Sequence, residues 1–486
     1  MRVTYNSRTS VDPLIEQIRA TGRYDQMTFA QKRDPCDGLF KKFRTAFQVP
    51  REPAPGYNNI AVTIAPDVPG MKPPRPDLDG KLPPPGETEE DRKGASRFKT
   101  LTAFTDTSGF KHLDPETLEP LGVASQSSLH PELTGPFSAA HANFDPVTGD
   151  VYNHNCDFTL PSPTYRIWKT DRQSEETTII ATIKDPDAAC AYLHSSFITE
   201  NFFILAIWSS HMRKGGLAVL WERNVLDAIL PFSEEAKTVW LVIDRRHGRG
   251  LVAKFTSPAA FSFHNSNAWE EQREDGEVDL VLDCVEYANL DIIHQFYYKN
   301  FMSSSAAVEG FKKEHAEGIV GHFKRYKLSG VPTTETPTPP LKIREAEVLI
   351  HHQSPKVGEF PGISPLYHTK PNKFIYTTTD TGKSSFFDSI TKLNIETGEY
   401  KHFCRERHTP GEPIFVPSPD GKDEDDGTIL VVMFDGDSGT SYLSALDGKT
   451  MEEVGRADVG RTVVFGFHGK HIGLGGQISG PAAESG

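Results

Sequence analysis

Cysteine is scarce in this sequence and scattered where it occurs. Five positions carry it (Cys36, Cys156, Cys190, Cys284 and Cys404), an odd total with no CxxC pair. That pattern suits a reducing compartment better than a disulfide framework. Long apolar runs are missing too: none approaches the ~20 residues needed to span a bilayer. The opening MRVTYNSRTS is too polar to read as a signal peptide. Positive charge is in deficit, with 52 Lys and Arg against 66 Asp and Glu and a net charge of −14. A phosphate-binding surface, and with it a nucleic-acid partner, is therefore not expected. The hydrophobic fraction of 37% and a mean hydropathy of −0.45 describe a soluble globular chain, and a cytoplasmic location is expected.

Proline and turn chemistry are plentiful. Prolines crowd residues 50–96, and a second group falls in VPTTETPTPPLK at 331–342. Proline blocks ladder pairing, so both stretches read as loop, with Ile60–Ile64 as a short buried strand inside the first. The segments DPETLE (114–119), DPVTGD (145–150), NIETGE (394–399) and ALDGKT (445–450) each separate two strand-like runs. Asp or Asn at the start supplies a side-chain acceptor, and Gly near the end of three of them supplies positive φ. Short strands joined by hairpin turns indicate an all-β sandwich, barrel or propeller. No repeat of fixed length selects among these.

Residues 1–10 alternate as a strand should, and DPLIEQIRATG reads as a short helix or turn. One stretch departs from the β pattern. In GGLAVLWERNVLDAILPF (215–232), Leu217, Leu220, Trp221, Val225, Ile229 and Leu230 fall near helical spacing. It reads either as an amphipathic helix packed on the β-structure or as an apolar patch that dips into a membrane or lipid droplet.

Four of the 18 histidines stand in distinctive surroundings: His141 in SAAHANFDPVTGD, His194 in LHSSFITENFF, His264 in FSFHNSNAWEE and His468 in FGFHGKH. They are roughly 50, 70 and 200 residues apart, which matches no local metal-binding pattern; only a closed fold could assemble them. His154, His351, His352, His408 and His471 have no comparable setting.

AHANFDPVTGD, HSSFITENF, FHNSNAWEE, GEFPGISPLYH, GEPIFVPSPDG and FGFHG resemble, in that order, the signature segments of the carotenoid cleavage oxygenases. The resemblance spans about residues 1–470. NFFILAIWSSH followed by GGLAVLWERNVLDAI is most similar to the fungal members that act on torulene and related apocarotenoids. The resemblance implies a seven-bladed β-propeller of residues 1–470, with a loop and helix cap over an axial metal site. Residues 50–96 would be a Pro-rich loop insertion, 215–232 an apolar cap segment and 471–486 a Gly-rich tail. Family members also carry a substantial segment before residue 1, so an unpaired edge strand is expected here.

The resemblance further implies that His141, His194, His264 and His468 hold one Fe(II), the cofactor of O2-dependent C=C cleavage. Imidazole alone would suit Fe, Zn, Cu or Ni. Glu359 in GEFPG and Glu412 in GEPIF match glutamates that hold the outer nitrogens of His264 and His468. Asp106, in TDTSGF, stands where the family generally has Glu, and its shorter side chain is expected to reach His194 poorly or through a water. Glu200, Glu270 and Glu271 read as structural, fixing strand ends. Phe104, Phe202, Phe263 and Trp269 are candidate tunnel-lining residues for a lipophilic polyene. The expected reaction splits one double bond of a carotenoid or apocarotenoid into two aldehydes. The alternatives are a stilbene-cleaving oxygenase, which Thr105 beside Asp106 counts against, retinyl-ester isomerohydrolase chemistry, and a non-catalytic propeller scaffold.

Overall fold

The computed structural model describes residues 4–24, 26–32, 37–38, 42, 55–72, 98–158, 162–302, 304–334, 340–384 and 386–473. Most of the Pro-rich stretch (73–97), the centre of the second (335–339) and most of the C-terminal tail lie outside the described residues, as does Cys36.

The chain enters through α1 (Asp12–Thr21), with proline in its first turn and Gly22 closing it at φ 65°. Among the described residues, twenty-six strands then build six sheets. The first holds β1 (Thr63–Pro66), β2 (Leu101–Phe104), β3 (Gly109–Leu113) and β4 (Pro120–Ser125). The second holds β5 (Asn143–Phe144), β6 (Val151–Asp157), β7 (Thr164–Thr170) and β8 (Thr177–Ile183). The third is β9 (Phe197–Ile198), β10 (Phe202–Ile207), β11 (Thr238–Asp244) and β12 (Gly250–Ser257). The fourth begins with β13 (Asn265–Gln272), β14 (Val278–Glu286) and β15 (His322–Val331). The chain then adds β16 (Ile343–Glu345) in parallel to β12 before β17 (Glu347–Gln353) completes the fourth sheet. The fifth contains β18 (Glu359–Gly362), β19 (Phe374–Thr379), β20 (Ser389–Asn394) and β21 (Tyr400–Cys404). In the sixth, β22 (His408–Pro410) and β23 (Ile414–Pro417) both pair with β24 (Gly427–Asp435), followed by β25 (Thr440–Asp447) and β26 (Glu453–Asp458).

Neighbouring strands within each sheet are antiparallel apart from the β12–β16 pair, so turn chemistry sets the register. The Asp114 carboxylate accepts the N–H groups of Glu116 and Thr117, and that of Asp145 accepts those of Val147 and Thr148. Asn394 and Asp447 close their hairpins in the same way. Strands with neighbours on both sides are buried throughout, as in FFILAI of β10 and VDLVLDCVE of β14, where the buried Asp283 and Glu286 are paired with Arg325 and Lys324. The largest core cluster runs from the second sheet to the fifth and includes Trp208, Trp240, Phe203 and Tyr326.

The fold is an all-β propeller, but it has six blades among the described residues, not the seven implied by the resemblance. Residues 1–10 were expected as a strand, but the described residues 4–10 carry no ladder pairing, and among the described residues before Thr63 the named elements are α1, a 3₁₀ turn and one isolated bridge. A seventh sheet would need further paired strands. The described residues outside the six sheets instead form α1, short helices and irregular loops.

The 215–232 stretch is not one helix. It breaks into a 3₁₀ turn (Arg213–Gly216), α2 (Ala218–Glu222) and a second 3₁₀ turn (Leu226–Ala228), with Arg223 between them at φ 57°. It packs through Ala218, Val219, Leu226 and Ala228. Beside it lie α3 (Asp291–His294) and α4 (Tyr298–Phe301), with α5 (Ala307–Glu314) following. Tyr297 donates its hydroxyl to Asp227 at 2.6 Å and joins the two cap segments.

Candidate metal centre

Three of the four singled-out histidines stand one to three residues before the first strand of a sheet: His141 before β5, His194 before β9 and His264 before β13. Polar residues from the same motifs stitch these entries together. Asn143 donates its amide to Ser196 Oγ at 2.7 Å, Asn265 donates to the Ser196 carbonyl at 2.5 Å, and the Ser195 hydroxyl donates to the Phe263 carbonyl at 2.8 Å. The His141 N–H donates to the His194 carbonyl at 3.2 Å. His468 arrives from the irregular stretch beyond β26.

Strand entries about 50 to 330 residues apart thus converge. One nitrogen from each of His141, His194, His264 and His468 lies within 4.8 Å of the other three. The Nε2 atoms of His141 and His468 are 3.0 Å apart, and those of His264 and His468 are 3.1 Å apart. Burial pushes the His141 and His264 imidazoles well below the ordinary histidine range, and the neighbouring imidazoles add to it. These rings are therefore neutral near pH 7 and present lone pairs, the state a metal requires.

Three carboxylates hold the outer nitrogens. His194 Nδ1 lies 2.7 Å from Asp106 Oδ1, His264 Nδ1 lies 2.6 Å from Glu359 Oε2, and His468 Nδ1 lies 2.9 Å from Glu412 Oε1. The Asp106 contact is direct, although an aspartate was expected to fall short. β2 and the loop after it carry Asp106 close in, and the Ala140 N–H also donates to Oδ1 at 3.2 Å. Burial pushes the Glu359 carboxyl up to about 7. Glu412 is further anchored by the Gly469 N–H at 2.7 Å. Among the described residues no carboxylate pairs with His141.

Two residues that sequence reasoning did not single out complete this arrangement. Tyr192 donates its hydroxyl to Asp106 Oδ2 at 2.8 Å, and Tyr287 donates to Glu359 Oε1 at 2.5 Å. The only hint available in the sequence was position: Tyr192 lies two residues before His194, and Tyr287 lies in DCVEYANL.

Phe263 packs 5.6 Å from the His194 ring and 5.8 Å from Phe296, which in turn meets Phe29 at 6.0 Å. On the other flank, Phe360 lies 5.2 Å from His468, with Phe387 and Phe465 behind it at 5.9 and 6.1 Å. Phe104 and Phe144 line a cavity of about 210 Å³ that reaches His141 and His468. Phe202 and Trp269 do not take part: they are buried under the guanidinium groups of Arg249 and Arg325. Glu270 accepts from Thr199 and Asn201, and Glu271 accepts the Trp269 indole N–H at 3.3 Å. Neither carboxylate faces the histidines. His154, His351, His352 and His408 lie on β6, β17 and β22, outside the cluster.

Four imidazole nitrogens converging within 4.8 Å are a donor set that suits a transition-metal ion, and the acceptors on three outer nitrogens suit it equally. A β-propeller with a four-histidine centre is the class of protein that fold and site define. Comparison with known proteins places it further. The family model described as retinal pigment epithelial membrane protein matches residues 1–473. A carotenoid dioxygenase of Neurospora crassa is 38% identical over 98% of this chain and 80% of its own length. A torulene dioxygenase of Fusarium fujikuroi is 40% identical, covering 97% and 80%. A solved apocarotenoid oxygenase variant from Synechocystis superposes with a TM-score of 0.65 at 19% identity, covering 94% of this chain and 81% of that one. The chain belongs to the carotenoid oxygenase family.

Proposed function

We propose that His141, His194, His264 and His468 hold one Fe(II), and that the protein is an oxygenase cleaving one C=C bond of a carotenoid or apocarotenoid to two aldehydes. The convergence of four imidazole nitrogens within 4.8 Å carries this reading. The printed activities of the fungal relatives support the substrate class. Iron(II), when bound, supplies the activation of O2 at the double bond.

The remaining work falls to the protein. Asp106, Glu359 and Glu412 fix tautomer and orientation of three imidazoles. The phenylalanines on both flanks exclude water and accept a rigid polyene, each Å² of apolar surface removed from water contributing about 25 cal/mol. The polyene's depth along this wall sets which bond meets the metal.

The apolar substrate would be collected at a membrane or lipid-droplet surface by a protein resident in the cytoplasm. No helix among the described residues is long and apolar enough to cross a membrane. The cap nevertheless exposes Leu217 (41%), Leu230 (43%), Tyr298 (60%) and Met302 (50%), an apolar set suited to dipping into one leaflet. Flotation with liposomes before and after Leu217→Ser and Tyr298→Ser tests that part.

The central test is iron per chain by elemental mass spectrometry after growth in iron-supplemented medium, followed by product analysis. One iron per chain and paired aldehydes from torulene, β-carotene or apocarotenals are expected. A folded, iron-free protein would leave the scaffold reading. Products from stilbenes alone would replace the substrate class.

A further inference from the structure

We propose that Tyr192 and Tyr287 are positioning residues for the metal: each fixes the carboxylate that in turn orients a ligand imidazole. The inference rests on the iron reading above.

The two arrangements have the same chemical order. Tyr192 OH donates to Asp106 Oδ2 while Asp106 Oδ1 accepts from His194 Nδ1. Tyr287 OH donates to Glu359 Oε1 while Glu359 Oε2 accepts from His264 Nδ1. In each, one carboxylate oxygen serves the phenol and the other serves the imidazole together with a backbone N–H, from Ala140 at 3.2 Å or Phe360 at 3.3 Å, so the phenol is what engages the second oxygen. A carboxylate turns freely about its terminal bond unless both oxygens are engaged. Held at one oxygen only, it would let the imidazole swing, and a four-ligand site loses affinity when its donors stray by fractions of an ångström.

Packing favours the same reading. Phe263 touches both tyrosines, at 6.4 Å to each ring, and lies against His194 and His264 as well. Tyr192 also stacks on Phe261. Both phenols are buried, at 3% and 2% exposed, with their hydroxyls directed at the carboxylates. The third carboxylate, Glu412, has no tyrosine; a backbone N–H from Gly469 occupies its second oxygen. Each acid is thus held at both ends, twice by a phenol and once by the chain. Tyr192 matters most for Asp106, whose short side chain has less torsional reach with which to correct its aim.

An internal control exists. Tyr326 donates to Glu286 at 2.6 Å, the same buried bond in the fourth sheet, but Glu286 pairs with Lys324 and touches no histidine of the cluster. Removing this hydroxyl measures what a buried tyrosine–carboxylate bond does for stability alone.

The experiment titrates Co(II) into metal-free protein and follows its visible absorption, for the parent chain and for Tyr192→Phe, Tyr287→Phe and Tyr326→Phe. Affinity is expected to fall about tenfold in each of the first two, the low end for losing a partner outside the ligand set. Tyr326→Phe should lower Tm and leave Co(II) affinity unchanged. Native affinity in both Tyr192→Phe and Tyr287→Phe overturns the proposal, as does an equal loss in Tyr326→Phe. A parent chain that binds no Co(II) overturns the four-histidine metal reading itself, a result distinct from either. The two tyrosines are tested separately, so a variant that fails to fold leaves the other to decide.

Discussion

Glu270 on β13 closes onto the turn between β9 and β10: its Oε1 accepts the Thr199 hydroxyl and the Asn201 N–H, both at 2.6 Å, and its Oε2 accepts the Asn201 amide at 2.9 Å. This joins the third sheet to the fourth just below the strand entries that carry His194 and His264. Glu270→Ala leaves three donors without their charged acceptor. At about 1.5 kcal/mol for each bond to a charged group, a loss of roughly 3–5 kcal/mol is expected. Urea unfolding checks it; a loss under about 1 kcal/mol would show the clamp to be dispensable.

The histidine and carboxylate variants should separate by rank. His194→Ala or His468→Ala is expected to abolish iron binding and turnover, whereas Glu359→Gln and Asp106→Ala should weaken metal affinity by roughly 10- to 100-fold. Metal content and aldehyde formation are the readouts. His264→Ala with full iron and full activity would sink the site assignment.

His112 on β3 and His154 on β6 are fully buried, and burial lowers both to about 4. Below the unfolded value near 6.5 the unfolded chain binds protons that the native rings refuse. Stability is therefore fully present above about 6.5 and declines as pH falls toward 4. Each ring should contribute a slope of about 1.4 kcal/mol per pH unit in that window. The double variant His112→Gln, His154→Gln should flatten the slope by up to two protons. Parallel slopes for parent and variant would contradict the assignment.

Asp145 opens the hairpin between β5 and β6 and meets Arg245 at 2.7 Å, both side chains being about 1% exposed. Burial raises the Asp145 carboxyl, but the Arg245 charge and the turn N–H groups outweigh it and hold the group at about 2. Its contribution is present above about 4 and is lost as pH falls toward 2. Asp145→Ala would strand a buried guanidinium at an expected cost of roughly 3–5 kcal/mol, read as a fall in Tm at pH 7. An unchanged Tm would mean that the Thr199 carbonyl, which accepts from Arg245 Nε at 2.9 Å, and water suffice for the guanidinium.

Legibility followed distance along the chain. The hairpins at Asp114, Asp145, Asn394 and Asp447 are written into four to six consecutive residues, because an Asx side chain caps N–H groups two and three positions on. The four histidines were marked by local motifs, but nothing local said that they meet. The apolar spacing in 215–232 pointed to one helix, yet Arg223 in left-handed geometry breaks it. Spacing records which residues want burial, not whether the backbone turns between them.

By itself, then, the sequence determined the strand-and-turn chemistry, the all-β class and the family to which the histidine motifs belong. Tertiary structure decided the count of six sheets, the direct reach of Asp106 to His194, and the pairing of Tyr192 and Tyr287 with the carboxylates. The reason is physical. A hairpin is closed by atoms within a few bonds of one another, whereas Asp106 and His194 are 88 residues apart and Tyr287 and Glu359 are 72 apart. Contacts over such separations exist only after the intervening sheets have packed, and sheet number depends on which strands find partners across the whole chain.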